Sequence, residues 1–427
     1  MSANYSFGVS VMTTPSIRPN PNFNAQNTAE LLRKAMKGFG CDKAKIIQAI
    51  VNCCNAQRQE KFRELLFCGS ALIIFGSHDF LAIIYLQPKI FAQFSVSRSF
   101  KQMYGKDLIK ELKSELSGDF EDLIMALMDH PAYYDASQLR RAMEGLGTKE
   151  HILIEIMTTR SNAQILQIRS AYAQLYASDL ERDLIGETSG YFKRMLVALC
   201  TGARDESMLT DPLRANQAEL PKQCLAYKNI HTIFRLKIEN IKRILFFYKL
   251  FFLQDANKLY RAGERRLGTD ESAFIAILSA QNYNQLRLKV DLVCHCSVVL
   301  SLIYCHLVVH LWLIIFNEYQ KVSGHPIDQA IIAEFSGDIR DGLLAIIKSI
   351  RNRPAYFAEL LYNSMKGFGT RDNDLIRLVV TRSEIDLGDI RSAYQQTYGT
   401  TLEHAIASDC SGAYKDGLIA IVKGFYH

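Results

Sequence analysis

Two short phrases that recur four times constrain the fold of this chain more than any other feature. The first contains Met-X-Gly-X-Gly or a close variant, and the second contains an acidic residue followed by X-Ser-Gly. The first phrase runs over Lys34–Cys41, Arg141–Thr148, Arg261–Thr269 and Asn363–Thr370, and the second over Lys113–Gly118, Leu184–Gly190, Ile331–Gly337 and Ala407–Gly412. Because repeated sequence is built from similar units that pack against their neighbours, we expect four related structural repeats.

The sequence between the two phrases has helical periodicity. Apolar residues such as Ile152, Ile156, Leu166 and Tyr172 follow the spacing of one helix face, interrupted by a polar break. Alternating strand patterns are absent, and polar capping residues such as Ser137 precede the periodic segments. The pattern predicts an all-α fold of four bundles, each made of several short helices.

Composition excludes several classes of protein. The 427 residues are 48% hydrophobic, which is enough for a large core, and 22% charged with a net charge of +6. No Lys/Arg block is dense enough to track a phosphate backbone, so nucleic acid is not an expected partner. Ten cysteines at irregular positions favour a reducing, cytoplasmic location. No nucleophile elbow, phosphate loop or His-Glu-X-X-His helix is present, so we do not expect an enzyme.

The first 27 residues read as a polar tail. They lack the basic start and apolar centre of a signal peptide, and Ser2 stands where myristoylation needs glycine. Three prolines, at positions 15, 19 and 21, favour an extended path over the surface.

The distance between the two phrases reveals extra segments. The last loop glycine and the acid are 40 residues apart in repeats two and four, but 75 in repeat one and 66 in repeat three. Insertions at about 61–95 and 289–314 interrupt what should be single helices, and a third at about 218–253 lies between repeats. The predicted organisation is a tail 1–27, repeat one 28–130, repeat two 131–203, a connector 204–254, repeat three 255–350 and repeat four 351–427.

The glycine loops have the chemistry of a calcium site. Glycine permits positive φ, which allows several carbonyl oxygens to converge on one point. Calcium takes roughly six to eight oxygen ligands from carbonyls, carboxylates and water. The acid of the second phrase is the natural carboxylate partner. A single Gly-X-Gly turn is usually only a helix C-cap, but four copies at a matched distance from an acid favour the metal site.

These same residues resemble the annexin family. Strings such as Lys34–Gly40, Asn55–Glu60 and Arg382–Asp386 carry the resemblance, which covers nearly all of the chain outside the tail and insertions. It implies four repeats of about five helices forming a curved disc. It also implies calcium loops on the convex face that bind acidic, phosphatidylserine-like headgroups, with both termini on the opposite face.

The resemblance implies one ligand set in each repeat, made of three loop carbonyls and one carboxylate. The sets are Met36, Gly38, Gly40 and Glu115; Met143, Gly145, Gly147 and Glu187; Gly263, Arg266, Gly268 and Glu334; and Met365, Gly367, Gly369 and Asp409. Weaker accessory sites would use Thr148 with Glu150, and Thr370 with Asp372.

Repeat one departs from the family pattern. Cys41 replaces the usual threonine and Lys43 the usual acid, which argues against an accessory site there. Cys53 stands where the family has the arginine of Thr-Arg-Ser, which is present as Arg160 and Arg382 in repeats two and four.

The predicted function is calcium-dependent binding to acidic phospholipid membranes, peripheral and cytoplasmic, with possible self-association on the membrane. The alternative is an integral membrane or channel-like protein that uses the apolar segments 66–86 and 293–316, the second of which has 24 residues without charge. Zinc is the weaker interpretation of His306 and His310, with Cys294 and Cys296, because no second shell is evident.

A more economical hypothesis is that the insertions are translated introns or gene-model errors. Phe251-Phe-Leu-Gln254 is what a pyrimidine-rich tract ending in CAG would encode. Peptide mass spectrometry of the native protein should therefore detect repeat peptides but none from within 218–253. Abundant peptides from that segment would contradict the hypothesis.

Overall fold

A computed structural model describes residues 13–38, 40–59, 95–145, 147–204, 206, 258–265, 268–280, 319–320, 322–367 and 369–424. These residues form α-helices joined by short turns, and none of them lies in a β-strand. The predicted all-helical repeat fold is confirmed for this part of the chain.

Repeats two and four each contain five helices, as their undisturbed spacing predicts. The fourth helix is the shortest in both repeats, with eight residues, and polar residues such as Ser161 and Thr401 cap several N-termini. The helices are α7 (Pro131–Met143), α8 (Glu150–Thr159), α9 (Asn162–Tyr176), α10 (Leu180–Glu187) and α11 (Gly190–Cys200) in repeat two, and α15 (Arg353–Met365), α16 (Asp372–Ser383), α17 (Leu387–Tyr398), α18 (Leu402–Asp409) and α19 (Gly412–Lys423) in repeat four.

Repeat one has the same order, but its third helix is divided. Repeat two has the 15-residue α9 at this position. Repeat one has two shorter helices there, which are separated in the sequence by residues 59–95. The Ser97 hydroxyl donates to the Arg58 carbonyl at 2.9 Å, which joins the two pieces. The helices are α1 (Ala25–Ala35), α2 (Lys43–Val51), α3 (Asn55–Arg58), α4 (Val96–Tyr104), α5 (Leu108–Glu115) and α6 (Gly118–Met128).

Repeat three is described in part. It contains α12 (Glu271–Ala280), α13 (Ile327–Glu334) and α14 (Gly337–Arg351), together with helical residues 258–262. The predicted insertions at about 61–95, 218–253 and 289–314 lie outside the described residues, except for Ser95. The apolar segments 66–86 and 293–316 and the four zinc candidates also lie outside them. Among the described residues, no helix combines the length and apolar composition that a membrane crossing requires.

The chain divides into two compact units. The first combines Met1–Ser137 with Asn352–His427, and the second is Gln138–Arg351. In the first unit, Phe100 of repeat one and Phe357 of repeat four belong to one buried cluster, so these distant segments share a core. In the second unit, a Cβ on Gly342 would lie 2.2 Å from the Met195 side chain, which shows how closely α14 approaches α11.

Buried arginines occupy the positions that the sequence singled out. The Arg382 guanidinium donates to both carboxylate oxygens of Asp386, at 2.6 and 2.7 Å, and both side chains are almost fully buried. Such a fork-shaped pair holds the end of α16 because neither charge can be left alone in the core. Arg160 is equally buried, 3.8 Å from Glu155.

Repeat one supplies its buried arginine from a different position. Burial raises the pKa of the Cys53 thiol to about 12, so this side chain stays neutral where repeats two and four carry a cation. Instead, Arg58 is buried and donates to Glu384 at 2.7 Å, and the same carboxylate accepts from the Asn55 backbone N–H at 2.6 Å. This ion pair ties repeat one to repeat four within the first unit.

The N-terminal tail packs against repeat four through backbone hydrogen bonds. The backbone N–H groups of Ser16 and Ile17 both donate to the Ser383 carbonyl at 2.9 Å, and Gly388 N–H donates to the Thr14 carbonyl at 2.8 Å. Ile17 is 3% exposed and belongs to the first unit's core. The predicted extended tail is therefore anchored by one apolar side chain and a short run of backbone hydrogen bonds.

We expect Gly388→Ala to release the tail. A Cβ at this position would lie 2.7 Å from the Thr14 carbonyl oxygen, so the N-terminal tail must move away. Hydrogen exchange should then show loss of protection at the Ser16 and Ile17 amides. The free energy of unfolding should fall by about 1.5–3 kcal/mol, the value of one buried Ile side chain. Ser392→Ala, at an exposed position on the same helix, is the control. Unchanged protection in G388A would show that the tail tolerates the added methyl group and would contradict the prediction.

Candidate metal sites

The loop glycines adopt backbone conformations that other residues rarely take. Gly38, Gly145 and Gly367 have φ values of 122°, 107° and 112°, and their partners Gly40, Gly147 and Gly369 have 90°, 86° and 85°. Gly268 of repeat three has 84°. No side chain crowds these positions, so positive φ and not lack of space requires glycine.

One backbone hydrogen bond closes each loop in the same way. The N–H at the start of the second helix donates to a carbonyl at the end of the first helix, at 2.7 to 2.9 Å. The pairs are Asp42 with Ala35, Lys149 with Ala142, Asp270 with Ala262 and Arg371 with Ser364. The third loop spans one residue more than the others.

The predicted carboxylates lie at the ends of short helices. Glu115, Glu187, Glu334 and Asp409 are the last residues of α5, α10, α13 and α18. Each is followed by a glycine that opens the next helix with φ near 60°. Glu115 and Glu187 are exposed, while Glu334 and Asp409 are half-buried.

A threonine joins the loop to the acidic residue in three repeats, through the carboxylate in two of them and through the backbone carbonyl in the third. The Thr370 hydroxyl donates to the Asp409 carboxylate at 2.5 Å, and the Thr269 hydroxyl donates to the Glu334 carboxylate. In repeat two, the Thr148 hydroxyl donates to the Glu187 backbone carbonyl at 3.1 Å. Residues that are about 40 or more positions apart in sequence are thereby brought together.

Repeat one has no threonine here, yet its loop and acid are still neighbours. Burial raises the pKa of the Cys41 thiol, and the Glu115 carboxylate raises it further, which places this charge close to the loop. In repeat three, a Cβ on Gly263 would lie 3.5 Å from Cγ of Glu334. Arg266, another of the three predicted carbonyl ligands of this repeat, lies outside the described residues.

The donor set fits a hard cation. Within the described part of the chain, no hydrogen-bond donor reaches the carbonyl oxygens of the predicted loop ligands. Those carbonyls, with one carboxylate, are the all-oxygen set that calcium prefers. Among the described residues, no group of three or more His, Cys, Asp and Glu side chains is placed to hold a metal ion.

Glu150 and Asp372, the acids of the two predicted accessory sites, each lie near a second acid that the sequence did not predict. Burial raises the pKa of Asp372, and the nearby Asp119 carboxylate of repeat one raises it further. In the second unit, burial and then Glu150 raise the pKa of Asp338. The only signal in the sequence is that Asp follows Ser-Gly in repeats one and three.

The family model described as Annexin matches residues 27–64, 94–127, 134–199, 254–289 and 356–421, which is more than half of the chain. This chain belongs to the annexin family. The match is interrupted over 65–93, 128–133, 200–253 and 290–355.

Curated relatives and solved structures agree with this assignment. Annexin A7 of Macaca fascicularis is 38% identical over 410 residues, covering 96% of this chain and 64% of that protein. Annexin A11 of Homo sapiens is 37% identical over 409 residues, covering 96% and 62%. This annexin therefore spans less than two thirds of the length of these relatives.

Two solved structures cover nearly the whole chain. Annexin III matches with a TM-score of 0.71 and 33% identity, covering 96% of this chain and 97% of that one. Calcium-bound annexin (Sm)1 matches with a TM-score of 0.65 and 28% identity, covering 97% and 94%. The family thus includes a protein solved with calcium.

We expect Gly147→Ala to weaken the repeat-two site. An alanine at φ 86° costs roughly 1–2 kcal/mol, so the loop should change conformation and move the carbonyls predicted to bind calcium. Calcium titration should show lower affinity at one site, and the free energy of unfolding without calcium should fall by a similar amount.

Gly186→Ala is the matched control for this change. Gly186 lies in α10 with open space around it, so alanine should leave calcium binding unchanged and add up to about 1 kcal/mol of stability. Equal calcium affinity in G147A and G186A would show that the repeat-two carbonyls are not ligands.

Proposed function

We propose that this annexin attaches reversibly to acidic phospholipid membranes through calcium held at the four loop-and-acid pairs. The observation that carries the proposal is the position of each carboxylate beside a positive-φ glycine loop. Thr370 with Asp409 and Thr269 with Glu334 are the clearest cases. Helix capping alone would not require a glycine loop to be paired with an acidic residue in all four repeats.

The charges of the residues explain why attachment would depend on calcium. Glu187 and Asp409 each lie next to neutral carbonyls, so without a cation they present negative charge to an anionic surface. A calcium ion held there would reverse the local charge and supply open coordination positions for phosphate oxygens. Phosphatidylserine-like headgroups, which carry both phosphate and carboxylate oxygens, fit those positions.

The carbonyl-rich ligand set also favours reversible binding. One carboxylate for each site supplies less charge than the several acids of a high-affinity calcium loop. Lipid oxygens would therefore complete the ligand set, and removal of calcium would release the protein. We propose a cytoplasmic, peripheral protein that moves to membranes as calcium rises. Confinement to a surface raises its local concentration, which favours self-association there.

We expect the double variant Glu187→Gln, Asp409→Asn to remain folded but to need on the order of tenfold more calcium to sediment with phosphatidylserine vesicles. Each change keeps size and hydrogen-bonding capacity while removing the charge that holds the cation. The measurement is vesicle sedimentation across a calcium series, with a chelator as the zero point.

The matched control removes two other exposed or half-buried acids. It is the double variant Glu181→Gln, Asp416→Asn. Glu181 lies on the same helix as Glu187, and Asp416 lies on the helix that follows Asp409. This control loses the same total charge, so it should keep the calcium dependence of the native protein. Native-like dependence in the E187Q/D409N variant would reject these two sites as major contacts and leave Glu115 and Glu334 as the remaining candidates.

A further inference from the structure

Three exposed apolar side chains lie close to the candidate metal sites of the second unit. Ile185 is 45% exposed, Ile332 is 59% exposed and Tyr191 is 37% exposed. All three are within four residues of Glu187 or within two of Glu334. Single exposed apolar residues are common on proteins, so their shared position matters more than their exposure.

Ile185 and Ile332 occupy the same position in two repeats. Each lies two residues before the acid, on the last turn of α10 or α13. These helices bury other residues in the core, including Leu184 in α10 and Ile331 in α13. Because Ile185 and Ile332 point away from that buried stripe, neither is needed to fold its helix. The corresponding residues of the first unit are Lys113 and Ala407, which are not large apolar side chains.

Tyr191 adds an amphipathic side chain to the same area. It is the first residue after Gly190 in α11, and the Arg194 guanidinium lies 5.1 Å from the centre of its ring. An aromatic ring with a polar end, paired with a cation, is typical of the boundary between lipid headgroups and acyl chains. Ile185, Tyr191 and Arg194 thus lie within seven residues of Glu187 and are groups suited to that boundary.

We propose that Ile185 and Ile332 enter the headgroup and acyl boundary of the membrane when the second unit is bound, with Tyr191 at the headgroup level. This inference rests on the proposed calcium-dependent attachment. The bilayer is the expected occupant because the apolar residues are continuous with the loops and acids that would hold the membrane. Ionic contacts would bring the surface close, and apolar contacts would then add affinity that salt does not screen.

The same unit offers a control of matched chemistry. Leu166 and Leu175 on α9 are 53% and 45% exposed, so they resemble the two isoleucines in size and exposure. A Cβ on Gly202 would lie 3.4 Å from Leu166, which places this leucine near the C-terminal end of α11. That end is about 16 Å of helix away from Gly190 and Glu187.

The test compares Ile185→Ser with Ile332→Ser, as a double variant, against Leu166→Ser with Leu175→Ser. Both are measured for sedimentation with phosphatidylserine/phosphatidylcholine vesicles at saturating calcium and rising salt. We expect the isoleucine variant to need roughly tenfold more lipid, with the largest difference at high salt, and the leucine variant to match the native protein. Native-like binding by the isoleucine variant, or equal weakening of both variants, would overturn the inference.

A direct probe of depth excludes an effect of folding. Ile332→Trp should lose at least half of its added fluorescence on vesicles with brominated acyl chains, whereas Leu166→Trp should not. An Ile332→Trp signal that is not quenched would overturn the inference even if affinity changes. Absence of calcium-dependent binding by the native protein would instead reject the proposed function, so the two failures are distinguishable.

Discussion

The candidate sites depend on one backbone constraint, the positive φ of the loop glycines. A chain with φ between 84° and 122° at these positions turns sharply between two helices, and no donor among the described residues reaches the loop carbonyl oxygens. The hydrogen bond that closes each loop keeps the turn compact, and Thr148, Thr269 and Thr370 connect it to the end of the fourth helix. A loop that is local in sequence thereby acquires a carboxylate that is distant in sequence.

Buried charge organises the repeats around these loops. Arg382 and Asp386 form a closed pair within repeat four, whereas Arg58 of repeat one pairs with Glu384 of repeat four. The second arrangement substitutes for an arginine that Cys53 cannot provide. Since an unpaired charge in the core is costly, such a replacement retains both a cation and its partner while changing which segments they join. The cysteine at position 53 therefore changes which segments of the first unit are joined by a buried ion pair. Glu384 still has a cationic partner, Arg58.

Much of the fold and of the candidate sites was predictable because the relevant signals are local. The period of apolar residues predicts helices such as α8 and α9, and the glycines predict the turns between them. The position of Glu187 and Asp409 beside their loops was also predicted, from a matched distance in two repeats. The facing acids Asp119 and Asp372 were not, because they come from different repeats and no spacing rule connects them.

The sequence by itself determined the helical repeats, the loop conformations and the residue types that can hold a hard cation. These properties follow from backbone sterics and from periodicity within a few turns of helix. Only the tertiary structure decided which carboxylates face one another, that Arg58 takes the role missing at Cys53, and that Ile185 and Ile332 remain outside the core. Those outcomes depend on how helices from distant parts of the chain pack, because packing selects which face of each helix is covered.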